Sequence, residues 1–468
     1  MKLRLPFPTR LAPRLPLQRH TPVTLMRQHA AQPPAEGAML FMAQFAAYVL
    51  LMGLAYTAQS GVIKALGNVY AVVIFGLVAF AWSTRTYPPS RWATAVVMSY
   101  VVYLTGIVCS IAVNPEALDW GDLLKITLSP AFLVFGAAFE RARLARGGGV
   151  LWQRPAVRLI LALLIAVPLL TWGAQLLQSG FEVDGIRETS IFANRNNASV
   201  YAVTVLGMIA VVTGRPVRSL VIFMGVGVMF GTLGVLVAVV MALALTVARP
   251  RELVVLALLL VVGAAGYVIW PEEKPFLRFT PVVDSVRYLL EGRINLATVT
   301  FGELVLLLKT QDLSFIFRLK HWVDLITTIG SADMYHWLFG FGVGSSVRMS
   351  DLRVLPHNDY LRYLFEFGAV TLVAFLAMLA LVFARLGRRW ETVPLLAVAI
   401  YLFSENLINN YTAMAFFFFS AGVLVERVMQ ERQAGRGAAK GERETARKIG
   451  RGTGQEPGQE TGQVAARP

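Results

Sequence analysis

Residues 355–385 read LPHNDYLRYLFEFGAVTLVAFLAMLALVFAR, and this stretch decides how the chain folds. Its first part is polar and charged, whereas no charged residue occurs between Glu366 and Arg385. An apolar run of about 18 residues or more is typical of a helix that crosses a lipid bilayer. A polar segment that leads directly into such a helix predicts functional groups at the surface of a membrane.

Composition extends this interpretation to the whole chain. Of the 468 residues, 56% are hydrophobic, and the mean hydropathy is +0.59. We therefore predict an all-α polytopic membrane protein with about 12 transmembrane helices. The predicted spans are 38–57, 62–82, 93–113, 122–140, 158–178, 198–214, 218–231, 232–248, 252–270, 367–385, 392–406 and 411–426. The run from 219 to 248 fits two short helices broken at 230–232 or one long tilted helix, and only the two-helix reading keeps the basic loops on one side.

Basic residues define the predicted topology. The net charge of +15 is concentrated in the tails and in alternate loops, a pattern that marks the cytoplasmic side of a membrane and does not indicate nucleic-acid binding. We predict a basic cytoplasmic tail at 1–37, nine spans within 38–270 with a short outer loop at 181–199, and a long, partly helical outer loop at 271–366. Three more spans fill 367–426, and 427–468 forms a disordered basic cytoplasmic tail.

The long outer loop contains the strongest candidate for acid–base chemistry. His357 follows a proline, and an imidazole there can be neutral near pH 7 and can accept a proton from a hydroxyl group. The alternative is a helix N-cap or a packed polar residue, and Asn358 follows directly. Arg318 and Trp322 are four residues apart on one predicted helical face, which fits either an anion site or a cation–π pair on a surface helix.

Other arginines can also bind an anion. Arg195 lies in IFANRNNASV, where a planar guanidinium and the start of a helix would both donate hydrogen bonds, although an interfacial arginine is the alternative. Arg278, Arg287 and Arg293 can assist, and composition does not separate them. The run GFGVGSS at 340–346 lacks the spacing of a phosphate-binding loop, and we predict a turn that brings the Arg318 and His357 helices together.

No metal or cofactor is expected. The sequence has no Asp-x-Asp and no Cys/His cluster with metal-ligand spacing. Its only cysteine, Cys109, lies in an apolar segment and cannot form an intrachain disulfide.

The order of these pieces resembles the O-antigen ligase family, membrane glycosyltransferases related to O-antigen polymerases and protein O-oligosaccharyltransferases. The resemblance covers about residues 190–420. It rests on an arginine before a tryptophan, a glycine-rich turn, a His-Asn pair and Glu-x-Gly. Here these are Arg318 and Trp322, 340–344, His357 and Asn358, and 366–368. One departure is the segment Gly231–Gly234, where many relatives have Ser-Arg-Gly.

The resemblance implies a GT-C-like fold in a bacterial inner membrane, with both termini cytoplasmic and the loops at 181–199 and 271–366 in the periplasm. The donor would be O-antigen linked to undecaprenyl pyrophosphate, and the acceptor would be the lipid A core oligosaccharide. His357 would be the general base, and Arg195 and Arg318 would bind the pyrophosphate, with Trp322, Asn358, Arg287 and Arg293 as supporting residues. Membrane lipids are the other expected partners.

Two other functions fit the sequence. A polymerase of the same fold would use the same residues with a lipid-linked glycan as acceptor. A polysaccharide or lipid transporter is the alternative from another class, but transporters usually place ionisable residues within their spans. The predicted spans are nearly free of charge, which favours chemistry at the membrane surface.

Overall fold

The computed structural model describes residues 90–113, 120–145, 155–178, 195–213, 233–246, 280–308, 314–350 and 352–452, with scattered positions at 46–76 and 254–269. Over these residues the fold is all-helical and contains no strand. The helices are α1 (Arg91–Val113), α2 (Trp120–Leu128), α3 (Phe132–Ala145), α4 (Pro155–Gln178), α5 (Arg195–Thr213), α6 (Leu233–Thr246), α7 (Thr280–Leu290), α8 (Phe301–Leu308), α9 (Ser314–Gly330), α10 (Met334–Phe339), α11 (Ser345–Arg348), α12 (Asp359–Leu386), α13 (Thr392–Tyr401) and α14 (Tyr411–Gly452).

Five segments in the described ranges are long and apolar enough to cross a membrane: Arg91–Ala112, Trp120–Arg141, Pro155–Gln175, Asp359–Leu386 and Tyr411–Gly437. Each corresponds to a predicted span, so the prediction of a helical, membrane-embedded protein is confirmed. The apolar part of α6 and the whole of α13 are shorter. The predicted spans 38–57, 62–82, 218–231 and 252–270, the tail 1–37 and residues 181–194 of the predicted loop at 181–199 lie wholly or largely outside the described residues. The last residues of that loop, 195–199, belong to α5.

One predicted span boundary in the C-terminal half is wrong. The span predicted at 392–406 ends as helix α13 at Tyr401, and turns occupy 402–410. The last part of the predicted, partly helical loop at 271–366 is helical, because α12 begins at Asp359, and Gly368 interrupts this helix where the predicted span 367–385 starts. The side chain of Asn358 accepts a hydrogen bond from the backbone N–H of Leu361, which caps the helix before its apolar part starts. The polar residues of 359–366 are therefore helical.

The prediction of a disordered tail at 427–468 is also wrong for the part that the structure describes. Helix α14 continues from the apolar segment to Gly452. Extending an existing helix avoids the unfavourable nucleation step, and the tail is rich in Ala, Glu, Arg and Lys, which favour helix. Residues 453–468 lie outside the described ranges.

Helices α3 and α14 are joined by a set of buried ion pairs, which we call the α3–α14 clasp. Arg141 contacts Glu426 through two nitrogens, both at 2.8 Å, and Arg143 contacts Glu140 through two nitrogens at 2.7 and 2.6 Å. Arg427 adds a third guanidinium, with Nε 2.9 Å from Glu140 Oε1. Both carboxylates are buried, so each needs the hydrogen bonds that these arginines supply.

Candidate functional site

The glycine run packs directly against the kink in α12. The backbone N–H groups of Phe341 and Gly342 donate to the carbonyl oxygens of Phe365 and Glu366, at 2.9 and 3.1 Å. Gly368 interrupts the helix with φ 75°, a conformation that favours glycine. A Cβ at Gly368 would lie 2.2 Å from the carbonyl oxygen of Leu338. The two backbone segments can therefore approach this closely only because residue 368 has no side chain. The run is thus a docking turn.

This docking brings α9 alongside the first turns of α12. Leu325 and Ile329 of α9 are buried against Leu361 and Phe365 of α12. Arg318 of α9 and His357, which precedes α12, both contact the segment 402–410. At the centre of that segment is Glu405, whose side chain is only 4% exposed.

Glu405 collects donors from three separate parts of the chain. Arg318 Nη2 donates to Glu405 Oε1 at 2.8 Å, and Asn196 Nδ2 donates to the same oxygen at 2.5 Å. His357 Nδ1 lies 3.1 Å from Oε2. The predicted anion-binding arginine and the predicted base therefore both contact one buried carboxylate. We call Glu405 and these three partners the Glu405 centre.

The Glu405 centre is open on the side of Arg318 and His357. The side chains of Arg318 and His357 are 30% and 32% exposed, in contrast to the buried carboxylate. With Nδ1–H donating to Glu405, His357 Nε2 has the lone pair that can accept a proton. A carboxylate that orients an imidazole in this way also stabilises the imidazolium that forms after proton transfer.

The backbone around His357 is fixed from both sides. Trp322 Nε1 donates to the carbonyl oxygen of Pro356 at 2.7 Å, and its ring packs edge-on against Phe403. Asn358 follows as the N-cap of α12. His357 itself has φ 43°, in the left-handed region that non-glycine residues rarely adopt. The contacts of Trp322 and Asn358 hold it there, so both residues act on His357 through the backbone.

Asp359 anchors the segment that contains Glu405. Its carboxylate oxygen Oδ2 accepts hydrogen bonds from the backbone N–H groups of Leu407 and Ile408, at 2.6 and 3.1 Å. Its own N–H donates to the carbonyl oxygen of Leu402 at 2.8 Å. The turns at 402–410 are thereby attached to the start of α12, next to His357.

A second set of charges, of which Arg362 and Glu366 are fully buried, lies beside the same helix. Arg362 Nε is 3.1 Å from Glu366, and its other nitrogens contact Asn409 at 2.9 Å and Asp122 at 3.7 Å. Ser346 of the glycine run donates to Glu366 at 2.5 Å. Arg362 and Glu366 precede the predicted span at 367–385 but lie within the longer candidate span Asp359–Leu386, where they are paired with one another.

His321 is a buried histidine of α9 that the site does not use. Its side chain is fully buried and packs against Phe317. Burial is the main cause that lowers the pKa of His321, and the nearby His357 lowers it further. A backbone hydrogen bond with Ser346 and the charge of Asp324 act in the opposite direction. The ring is therefore neutral near pH 7.

The other predicted arginines have different positions. Arg195 is the first residue of α5, and its neighbour Asn196 contacts Glu405. The Arg195 side chain itself lies outside the part of the chain that the structure describes. Arg287 and Arg293 are more than half exposed, pair with acids of their own segment and lie over the ring of Tyr288. The structure therefore does not bring them into the Glu405 centre by any contact.

Sequence reasoning missed Glu405 and Asn196. The signal for Glu405 was present: an acid inside a segment assigned to the membrane is a functional candidate by default. Asn196 had no separate signal beyond its place beside Arg195. Among the described residues, no group of three or more His, Cys, Asp or Glu side chains is arranged to hold a metal ion.

Comparison of the sequence with protein-family models finds no match, and comparison with curated proteins finds none either.

Proposed function

We propose that this protein is a membrane glycosyltransferase of the O-antigen ligase type. It would move polysaccharide from undecaprenyl pyrophosphate to the lipid A core and so complete lipopolysaccharide. The observation that carries the proposal is the meeting of Arg318 and His357 on Glu405, because a base and a phosphate-binding cation within one open site are what glycosyl transfer from a pyrophosphate requires.

The proposed reaction has one bond-forming and one bond-breaking event at the anomeric carbon. The acceptor hydroxyl oxygen attacks this carbon while its bond to the pyrophosphate oxygen breaks. The hydroxyl proton goes to His357 Nε2, and undecaprenyl pyrophosphate leaves with the electron pair. Arg318, with Arg195 as the second proposed cation, stabilises the charge that grows on the leaving group. A positioned general base contributes about 10²–10⁴-fold to such a rate.

The same proposal includes the finer topology. About 12 spans in a GT-C-like arrangement would place the Glu405 centre at the periplasmic face of a bacterial inner membrane, with both termini in the cytoplasm. Both substrates are lipids, so a half-exposed site beside membrane helices suits their approach. The pyrophosphate is already an activated leaving group, and neither a nucleotide nor a metal is required.

The first experiment is a transfer assay with purified protein in nanodiscs, without nucleotide and with a metal chelator. Undecaprenyl-pyrophosphate-linked glycan and lipid A core are mixed with wild type or with His357→Ala, and the core is followed by its shift on a gel. We expect transfer by wild type and a loss of at least about 100-fold in His357→Ala, because the base is gone.

The matched control is His336→Ala. His336 is also a loop histidine paired with an acid, and its side chain has the same 32% exposure as that of His357. This variant should transfer at the wild-type rate. Full activity of His357→Ala would exclude the proposed mechanism, and dependence on a divalent metal would show that a metal takes part.

Two other outcomes correspond to the alternative functions. Lengthening of the lipid-linked glycan with unmodified lipid A core would identify a polymerase. The buried charges around Arg362 and Glu366 within a candidate span are a specific observation in favour of transport. Movement of lipid-linked glycan across a vesicle membrane, without transfer, would support that function instead.

A further inference from the structure

The arginine that would bind the donor is already occupied in the substrate-free protein. Glu405 Oε1 accepts from both Arg318 and Asn196, and Oε2 contacts His357. A pyrophosphate that approaches Arg318 must therefore compete with this carboxylate for the guanidinium.

We infer that Glu405 is an internal competitor of the donor pyrophosphate, and that donor binding transfers Arg318 from the carboxylate to a phosphate oxygen. This inference rests on the proposed function and names the positioning residue that couples its two substrates. Glu405 remains bound to Asn196 and His357 after the exchange.

The geometry of the Arg318 contact allows this exchange. Arg318 touches Glu405 through Nη2 alone, and its side chain is 30% exposed. Its remaining N–H donors can therefore engage a phosphate before the carboxylate is released. By contrast, Arg141 in the α3–α14 clasp holds Glu426 through two nitrogens.

Glu405 keeps two of its three partners when Arg318 leaves. Asn196 still donates to Oε1, so the buried oxygen keeps a hydrogen bond. The hydrogen bonds from Leu407 and Ile408 to Asp359 hold the surrounding turns in place. The carboxylate can therefore stay where it is while Arg318 turns toward the ligand.

The exchange changes the electrostatics at His357. While Arg318 is bound, its positive charge offsets part of the negative charge of Glu405. Once a phosphate has taken Arg318, the carboxylate attracts the imidazolium of His357 with less compensation, and the phosphate adds negative charge nearby. The base is thus strengthened only when a donor is present.

The test measures equilibrium binding of inorganic pyrophosphate, as the probe, to full-length protein in nanodiscs without divalent metal. In Glu405→Gln the competing charge is gone, so we expect affinity to rise about 2- to 10-fold. Glycan transfer by the same variant should fall, because His357 loses its carboxylate. A purely structural role for Glu405 would instead weaken both binding and transfer.

Two further variants test whether the expected gain in pyrophosphate affinity depends on Arg318. Arg318→Ala should bind pyrophosphate more weakly than wild type, and adding Glu405→Gln to it should give no gain, as a double-mutant cycle requires. Glu431→Gln removes one negative charge from an exposed pair with Arg389 and is the matched control. Its affinity for pyrophosphate should equal that of wild type.

Asn196→Ala tests the same exchange if Glu405→Gln does not fold. Without Asn196, displacement of Arg318 would leave the buried Oε1 without a hydrogen bond, so pyrophosphate affinity should fall. Unchanged or lower affinity in folded Glu405→Gln, or higher affinity in Asn196→Ala, would overturn the exchange. Wild-type transfer would still support the proposed function in that case, whereas a wild type that neither binds pyrophosphate nor transfers glycan would contradict both.

Discussion

The Glu405 centre and the α3–α14 clasp use the same chemical groups in opposite ways. In the clasp, three arginines meet two buried glutamates, and two of these arginines each bind a carboxylate through two nitrogens. In the Glu405 centre, one carboxylate is shared by a guanidinium, an imidazole and an amide, each through a single contact. Two-nitrogen contacts fix both partners, whereas single contacts can be exchanged.

Exposure shows the same contrast. Arg143 is 11% exposed and Arg427 23%, whereas Arg318 and His357 are each close to a third exposed. A buried carboxylate is common to both clusters. The difference lies in the groups that contact the carboxylate, which are more exposed at the Glu405 centre than in the clasp. We propose that the clasp holds two helices together and that the Glu405 centre binds a substrate.

The largest expected effect comes from preventing the glycine run from docking on α12 at Gly368, which would disturb the Glu405 centre and leave the clasp intact. Gly368→Ala combines φ 75° with a Cβ that would lie 2.2 Å from a backbone oxygen, so we expect a loss of stability of about 4 kcal/mol or more. Transfer should be abolished, because the glycine run no longer docks and α9 loses its position. Thermal unfolding of the variant and of wild type in detergent measures this loss.

Gly330→Ala is the control for that substitution. Gly330 ends α9, and an added Cβ would meet nothing within 4 Å. Its melting temperature should match or slightly exceed that of wild type. A folded and active Gly368→Ala variant would show that the docking turn is not needed to assemble the site.

The next effect should come from breaking the clasp. Glu140→Ala takes from Arg143 and Arg427 the buried carboxylate that they share, and we expect a loss of about 3 kcal/mol. The exposed pair offers the comparison: Glu431→Ala should change stability by less than about 1 kcal/mol. Both variants should transfer glycan at the wild-type rate below their melting temperatures. Loss of transfer at unchanged stability in Glu140→Ala would remove the distinction between the two clusters.

The smallest effect is a pH dependence of stability at His321. Burial lowers the pKa of this histidine in the folded state, so the unfolded chain binds the proton more readily. Its contribution is fully present above the ordinary histidine pKa of about 6.5 and declines as the pH falls below it toward the lowered value. The melting temperature of His321→Phe should therefore fall less than that of wild type between about pH 7.5 and about pH 5.5. Parallel curves would show that His321 does not contribute.

The sequence predicted the helical membrane class and singled out two of the residues that meet at Glu405, but it did not single out Glu405 itself. Long apolar runs specify membrane helices because a bilayer requires them. His357 and Arg318 were identifiable from their chemistry and order. Glu405 was hidden because the apolar run of α13 appeared to continue through it, and the end of that helix at Tyr401 depends on bonds to Asp359 and its neighbours. Such tertiary bonds leave no periodic pattern in the sequence.

The prediction for the tail failed for a related reason. Residues 427–452 have too few apolar side chains to fold alone, yet they continue a helix that the membrane segment has already started. Local composition describes a segment in isolation, and here the preceding residues decide the outcome.

The length of α14 has a mechanical consequence. Its 42 residues span about 63 Å at about 1.5 Å per residue, roughly twice the thickness of a bilayer's hydrocarbon core. The helix must therefore project beyond the membrane on one side as a rod of about 30 Å. A tilt of about 10° within the bilayer would move the tip of that rod by about 5 Å. The length of the helix thus converts a small rotation of the membrane segment into a larger displacement near Gly452, which a spectroscopic label at that end could measure.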